Sequence, residues 1–442
     1  MSAKHFLSDP TALVAGALKA VTIINPAVVL DVEQKVLRHI CSDDQPSRIS
    51  IISGGGSGHE PAFGAYVGEG LLTASVAGTI FASPSSRQIQ HAISKVDSSK
   101  GVLVTVMNYT GDVLNFGVAV EKARVQNPEM KIDMLVVGDD VGVPCSQAGK
   151  VGRRGIAGTV LVHKITGALA AAGYDLSTIV QVGKLVCQNL VTVGASLDRV
   201  HVPGQDEGTE HSLAAGEIEL GMGIHNEAGS GRKSGQDAKL PTLVDEMLRQ
   251  LLDPSDDERA FLANRTESMV LLINNLGGLS VLELGSITTE IVDRLHSQYN
   301  INLARVFVGT FMTSLNGPGF SITLLNVVPS SLNVGLLELL DAPCEAPGWS
   351  APVRTATWAR ETRNSTSVVE ETKSISPLPL VPSQLIFDEL ALAQALKRGL
   401  QRLIDVEPDV THFDTVVGDG DCGTTLKRGA QGMKHSPDIV KM

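Results

Sequence analysis

What most constrains this chain is a change of hydrophobic period that repeats between residues 20 and 330. Apolar runs of strand length occupy residues 48–52, 101–108, 132–138, 268–274, 305–308 and 320–327. Stretches with helical spacing lie between them at 88–96, 157–172, 242–252 and 286–299. A strand that is apolar on both faces must be covered on both faces, and helices are the usual cover. The pattern therefore predicts an α/β fold of layered sheets and helices. A polar break rich in Gly and His at 201–217 divides it into halves of about 1–200 and 201–344. Aromatics are only 4% of the chain while Gly numbers 44, so the core is expected to be aliphatic with close backbone approaches.

Charge and cysteine usage exclude several classes. With 36 basic and 48 acidic side chains the net charge is −12, which argues against a nucleic-acid partner. Phosphate ligands stay open, because backbone N–H groups and metal ions can hold them. No apolar run is long enough to span a membrane, and MSAKHFLSDP lacks the apolar core of a signal peptide. The five cysteines are scattered without a CxxC pair, as in reduced thiols. A cytoplasmic protein is expected, which makes the Asn-x-Ser/Thr sequons at Asn108, Asn264 and Asn364 coincidental.

Composition shifts after Cys344. Residues 345–383 hold five prolines, both tryptophans and many Ser/Thr without an apolar period, which reads as a linker. Helical spacing resumes at 385–404, and a further domain is expected over 384–442.

Four motifs carry chemistry. Ser53-Gly54-Gly55-Gly56-Ser57-Gly58-His59-Glu60 follows the run ending at Ile52, where α/β folds bind ligands; it could instead be a tight turn with a solvated histidine. It matches neither a P-loop nor the dinucleotide fingerprint. Asn108-Tyr109-Thr110-Gly111-Asp112 also follows a strand, and Asp112 could take a substrate proton or merely cap a helix. His225, in Gly221-Met222-Gly223-Ile224-His225-Asn226-Glu227, could be a nucleophile, a ligand or a structural histidine. Finally, Asp414, Asp419 and Asp421 are spaced by glycines, which suits hard cations such as Mg²⁺, and Cys422-Gly423-Thr424-Thr425 could cradle phosphate; a solvated acidic loop is the alternative.

Together with Gly152-Arg153-Arg154-Gly155, Asn274-Asn275-Leu276-Gly277-Gly278 and Thr313-Ser314-Leu315-Asn316, these motifs resemble the single-chain, ATP-dependent dihydroxyacetone kinases over nearly the whole chain. The resemblance implies a substrate domain of two α/β halves, a linker, and an all-helical barrel that binds ATP and Mg²⁺. It implies that His225 holds the ketose as a hemiaminal, with His59 assisting at the adduct oxygen and Asp112 taking the hydroxyl proton. Gly56, Ser57, Gly58, His59, Met107 and Asp112 would contact substrate. Asp414, Asp419 and Asp421 would hold Mg²⁺, and Asp421, Cys422, Gly423, Thr424 and Thr425 would line the nucleotide phosphates. A homodimer is expected, with no membrane partner.

Two departures stand out. Met107 occupies a position where the family usually carries Lys, so a charge-assisted hydrogen bond to substrate is missing. Residues 384–442 read as an incomplete barrel, so 383–442 is expected to be largely unfolded or loosely docked and the chain weak or inactive alone. The alternatives are a kinase for glyceraldehyde or another short ketose, and a non-catalytic ketose sensor.

Overall fold

Each apolar run becomes a strand, and in the computed structural model the strands form two six-stranded sheets. Residues 5–40, 46–97, 99–149, 151–205, 212–262, 265–266, 268–330, 334–349, 353, 355–358 and 388–434 are described. They fall in two units, Met1–Thr362 and Arg363–Met442.

The first unit opens with α1 (Pro10–Ile24), β1 (Val28–Asp31), β2 (Val36–His39), β3 (Ser50–Ser57), β4 (Ala74–Ile80), α2 (Ser86–Lys95), β5 (Val102–Met107), α3 (Thr110–Gln126) and β6 (Ile132–Val137). Strand order in this sheet is β1-β2-β4-β3-β5-β6. β4, β3, β5 and β6 run parallel, so their carboxyl ends share one edge. Next come α4 (Cys145–Ala148), α5 (Thr159–Ala171) and α6 (Leu176–Gln188). The second sheet comprises β7 (Leu190–Ser196), β8 (Ile218–Leu220), β9 (Gly231–Lys233), β10 (Ser268–Asn275), β11 (Asn302–Gly309) and β12 (Gly319–Asn326), in the order β11-β10-β12-β7-β8-β9. Here β10 and β11 are parallel, and the other pairs are antiparallel. Helices α7 (Leu240–Leu252) and α8 (Val281–Ser297) cover it; α9 (Leu336–Asp341) and α10 (Thr355–Trp358) complete the unit.

Strand alternation sorts the core into layers. In β5, Val102, Val104 and Val106 pack with α2 and α3 residues such as Ile89 and Phe116, whereas Leu103 and Met107 face a central layer. In β10, Met269, Leu271 and Ile273 pack with α7 and α8, whereas Val270 and Leu272 face the same central layer. That layer holds α5 and α6 and is lined by both sheets. A one-residue slip of either strand would exchange its two sets of contacts.

The domain limits differ from those expected. β7 already belongs to the second sheet, so the halves separate ahead of residue 200, before the polar break at 201–217. Past 344 the chain stays in the core: Gly348 N–H donates to Ala65 O at 2.8 Å, and the Trp349 ring lies 5.3 Å from Phe307. Proline and Ser/Thr signals masked that anchoring aromatic in the sequence. Residues 350–352, 354 and 359–383 of the expected linker lie outside the described residues.

The second unit has three helices, α11 (Glu389–Asp405), α12 (Glu407–Val417) and α13 (Cys422–Lys434), in the segment expected to be largely unfolded or loosely docked. Asp388 caps α11 by accepting from Leu390 N and Ala391 N. Lys427 on α13 pairs with Glu407 on α12 at 3.0 Å, and Leu400 and Ala430 are buried. Leu390, Phe413 and Val416 remain exposed. No helix among the described residues is long and apolar enough to cross a membrane.

One residue of the central layer opposes folding. His163 on α5 is fully buried against the Phe63 ring, and neither ring nitrogen has a partner among the described residues. Desolvation pushes its pKa down to about 3. Because this lies below the unfolded value, the contribution is complete above about pH 6.5 and is lost as pH falls towards 3. His163→Leu should therefore raise stability at pH 7 by about 1–3 kcal/mol and blunt the acid loss. Urea midpoints across pH 4–7 measure both; an acid loss as steep as in the unsubstituted protein would contradict this account.

Candidate functional site

The carboxyl edge of the first sheet gathers the predicted residues. β3 continues to Ser57, five residues beyond the apolar run, because its glycines let flanking backbone close in. A Cβ on Gly56 would lie 2.8 Å from Ala82 N, and one on Gly58, at φ +101°, would lie 2.8 Å from the Phe81 ring. The glycine cluster is thus strand and packing surface rather than a free loop. Two of its polar groups are already engaged: Ser57 Oγ donates to Gly78 O at 3.1 Å, and Gly58 N–H donates to the Glu60 carboxylate at 3.0 Å.

His59 leaves this strand buried, its ring stacked 5.2 Å from Phe81. Its Nδ1 lies 2.8 Å from Thr313 O, a carbonyl, so Nδ1 carries the hydrogen. Its Nε2 lies 3.0 Å from Nε2 of His225, which arrives from the loop after β8 in the other half. His225 Nδ1 lies 2.9 Å from Glu227 Oε1, and Glu227 Oε2 accepts His225 N–H at 2.8 Å. Burial pushes the Glu227 carboxyl up, but hydrogen bonds and charge from His225 outweigh it and hold it at about 2. Burial, then His225, push His59 down to about 3.

These contacts fix a proton count. Nδ1 of His59 needs a hydrogen for its carbonyl, and Nδ1 of His225 needs one for its carboxylate. The Nε2–Nε2 contact needs a third, since two lone pairs 3.0 Å apart would repel. Whichever imidazole holds that hydrogen, both Nδ1 atoms stay committed, that of His59 to Thr313 O and that of His225 to Glu227. Glu227, not assigned from the sequence, is a member of the site. Its signal was available: a carboxylate two residues after a histidine among glycines.

Asp112 lies in the first turn of α3, directly after β5, and its Oδ1 is buried without a partner among the described residues. Desolvation raises its pKa to about 6, against lowering contributions from Ser83 and His225. A carboxylate so placed is a proton acceptor near neutral pH. Tyr109, the residue before α3, sets its ring 4.7 Å from that of His225, edge to face. Phe81 holds φ +56°, a conformation uncommon outside glycine, and packs on both histidines. Met107 is 4% exposed and faces the apolar central layer. No periodicity in the sequence separates such a position from any other core residue.

The remaining predicted residues lie in the second unit. Asp414 on α12, with Asp419 and Asp421 between α12 and α13, brings carboxylate oxygens within 4.8 Å of one another. Asp414 Oδ2 accepts Cys422 N–H at 3.0 Å, and the Thr424 hydroxyl donates to Asp421 O at 2.8 Å. Three hard oxygen donors so spaced, beside the N-terminus of a 13-residue helix, fit a divalent cation with phosphate.

Comparison with known proteins gives the following. A Dak1 domain model matches residues 19–348. The chain is 43% identical to the dihydroxyacetone kinase of Pichia angusta, covering 97% of this chain and 71% of that one. It is 36% identical to the triokinase/FMN cyclase of Homo sapiens, covering 98% and 72%. The solved dihydroxyacetone kinase of C. freundii in complex with AMP-PNP and Mg²⁺ superimposes with a TM-score of 0.71 at 33% identity, covering 98% of this chain and 74% of that one.

Proposed function

The chain belongs to the Dak1 family of dihydroxyacetone kinases, and on that footing we propose that it transfers the γ-phosphoryl group of ATP to dihydroxyacetone held on His225. The observation that carries this reading is the Nε2–Nε2 contact of His59 and His225, with Glu227 behind. The shared proton moves to His59, freeing the Nε2 lone pair of His225 to form a C–N bond with the ketone carbon. The carbonyl π pair moves to oxygen, which takes the proton from His59. His225 becomes an N-alkylated imidazolium, still donating Nδ1–H to Glu227, so the charge of the pair is unchanged. Covalent capture holds a small, flexible substrate that offers little surface for binding.

Asp112 then accepts the proton of the terminal hydroxyl as that oxygen attacks the γ-phosphorus and the bond to the β-phosphate oxygen breaks. Asp414, Asp419 and Asp421 would hold Mg²⁺, and the first turn of α13 from Cys422 through Gly423 and Thr424 to Thr425 would line the phosphates. When bound, the metal neutralises charge on the phosphoryl oxygens. Gly56, Ser57 and Gly58 shape the floor by their backbone, and Met107 packs in the core behind it, with no ammonium in its place.

The test is direct. The purified chain with Mg-ATP and dihydroxyacetone should yield dihydroxyacetone phosphate by ³¹P NMR, and Asp421→Ala should remove it. A higher kcat/KM for glyceraldehyde would assign the other triose. A ketose adduct without any ketose-dependent ADP would leave only the sensor reading.

A further inference from the structure

We infer that Arg154, held by Asp140, is a positioning residue that staples the His225 loop shut and so aims the imidazole at its carbonyl. The inference rests on the function proposed above. Residues 221–229 leave β8 and return towards β9 as a loop containing three glycines. Within the loop, Gly223 N–H donates to Glu227 O at 2.9 Å, and Glu227 in turn orients His225. The β8–β9 pairing already joins the two strands, with Ser230 N–H donating to Leu220 O at 2.8 Å, so what remains is to tie Gly221 to the far side of the loop beyond His225.

Arg154 does so. Its Nη2 donates to Gly221 O at 2.7 Å, and its Nη1 donates to Ala228 O at 3.2 Å, so one guanidinium bridges the first and eighth residues of the loop. Its Nε donates to Asp140 Oδ2 at 2.7 Å. Asp140 is buried, and its other oxygen accepts Gly142 N–H at 2.7 Å. Gly142 itself lies against the loop: a Cβ there would come within 2.7 Å of Gly221 Cα. The arginine is anchored from below as well, because its carbonyl accepts Asp139 N–H at 3.1 Å and Asp140 N–H at 3.0 Å. The clamp therefore links the end of β6, in the first sheet, to the loop that delivers His225 from the second.

The side chain has to be arginine. Three acceptors in different directions match a planar fork of five donors; a lysine ammonium could meet one carbonyl or the carboxylate but could not span the loop. Gly223 shows how close the fit is, since a Cβ there would lie 2.8 Å from Arg154 Nη1. Arg154 does not touch the reacting nitrogen, and its effect must pass through Glu227 and the loop backbone.

Arg154→Lys and Arg154→Gln, with Asp140→Asn as an independent route to the same clamp, test this by hydrogen exchange, native mass spectrometry and kinetics. Exchange should rise in peptides covering 221–229 while both sheets keep their protection. The KM for dihydroxyacetone should rise about 10- to 100-fold, the range expected when a reacting group is misplaced by about an ångström, with the KM for Mg-ATP unchanged. The ketose adduct should fall in step. Unchanged exchange in 221–229 would overturn the inference, as would exchange rising equally across both sheets with kcat alone reduced. If the unsubstituted protein forms no ketose adduct, the function reading fails, yet the exchange comparison still decides whether Arg154 holds the loop.

Discussion

His225→Ala should abolish covalent capture: intact protein with dihydroxyacetone should show no mass increase, where the unsubstituted chain gains one ketose without loss of water. The predicted loss in kcat/KM is roughly 10³-fold or more, because a triose with few atoms must then be oriented by hydrogen bonds alone. The fold should persist, since His225 lies in a loop and its removal leaves His59 with the Thr313 hydrogen bond. His59 would also lose the neighbouring imidazole that, with burial, helps lower its pKa. An adduct that survives in the variant, located by peptide mapping on another residue, would remove His225 from its role.

The second large effect separates capture from transfer. Asp112→Asn keeps the shape and the α3 first-turn position but cannot accept a proton, so kcat should fall by about 10²–10⁴ while the ketose adduct remains. The pH profile gives an independent reading. Asp112 must be ionised to act, and its pKa stands raised to about 6, so kcat/KM should level off above that pH and fall about tenfold per unit below it. In Asp112→Asn the residual activity should lack this acid limb. A limb that persists in the variant would belong to another group and would leave Asp112 with only a structural place in α3.

Much of this was legible from period and composition, and the exceptions have physical causes. Runs such as 268–274 and 101–108 were readable because burial on both faces leaves no polar alternation to confuse with a loop. β4 (Ala74–Ile80) was missed because Ser75, Gly78 and Thr79 interrupt its apolar face, while pairing with β3 and β2 stabilises it. β3 was read five residues short, because a glycine run signals a turn unless the backbone packed against it is known. In the site, His59, Asp112 and His225 were named from motifs. What tied them together was not visible: Glu227, Thr313, Phe81, Arg154 and Asp140 act through contacts between segments as far apart as 254 residues. Long-range hydrogen bonds leave no local trace. The acidic triad, by contrast, is local, and the spacing of Asp414, Asp419 and Asp421 announced it directly.

The crossing of the two histidines has a consequence for descent. His59 is delivered by the first sheet but takes its Nδ1 partner from Thr313 in the second half; His225 is delivered by the second half on a loop clamped from the first. Neither sheet alone, copied or shuffled into another gene, would carry a working half of the chemistry. Duplication of one half would give an inert lobe, and recombination between distant relatives within 140–225 would separate partners that were selected together. The heritable module is the whole layered unit, and drift in one sheet must be answered in the other before the imidazoles can meet again.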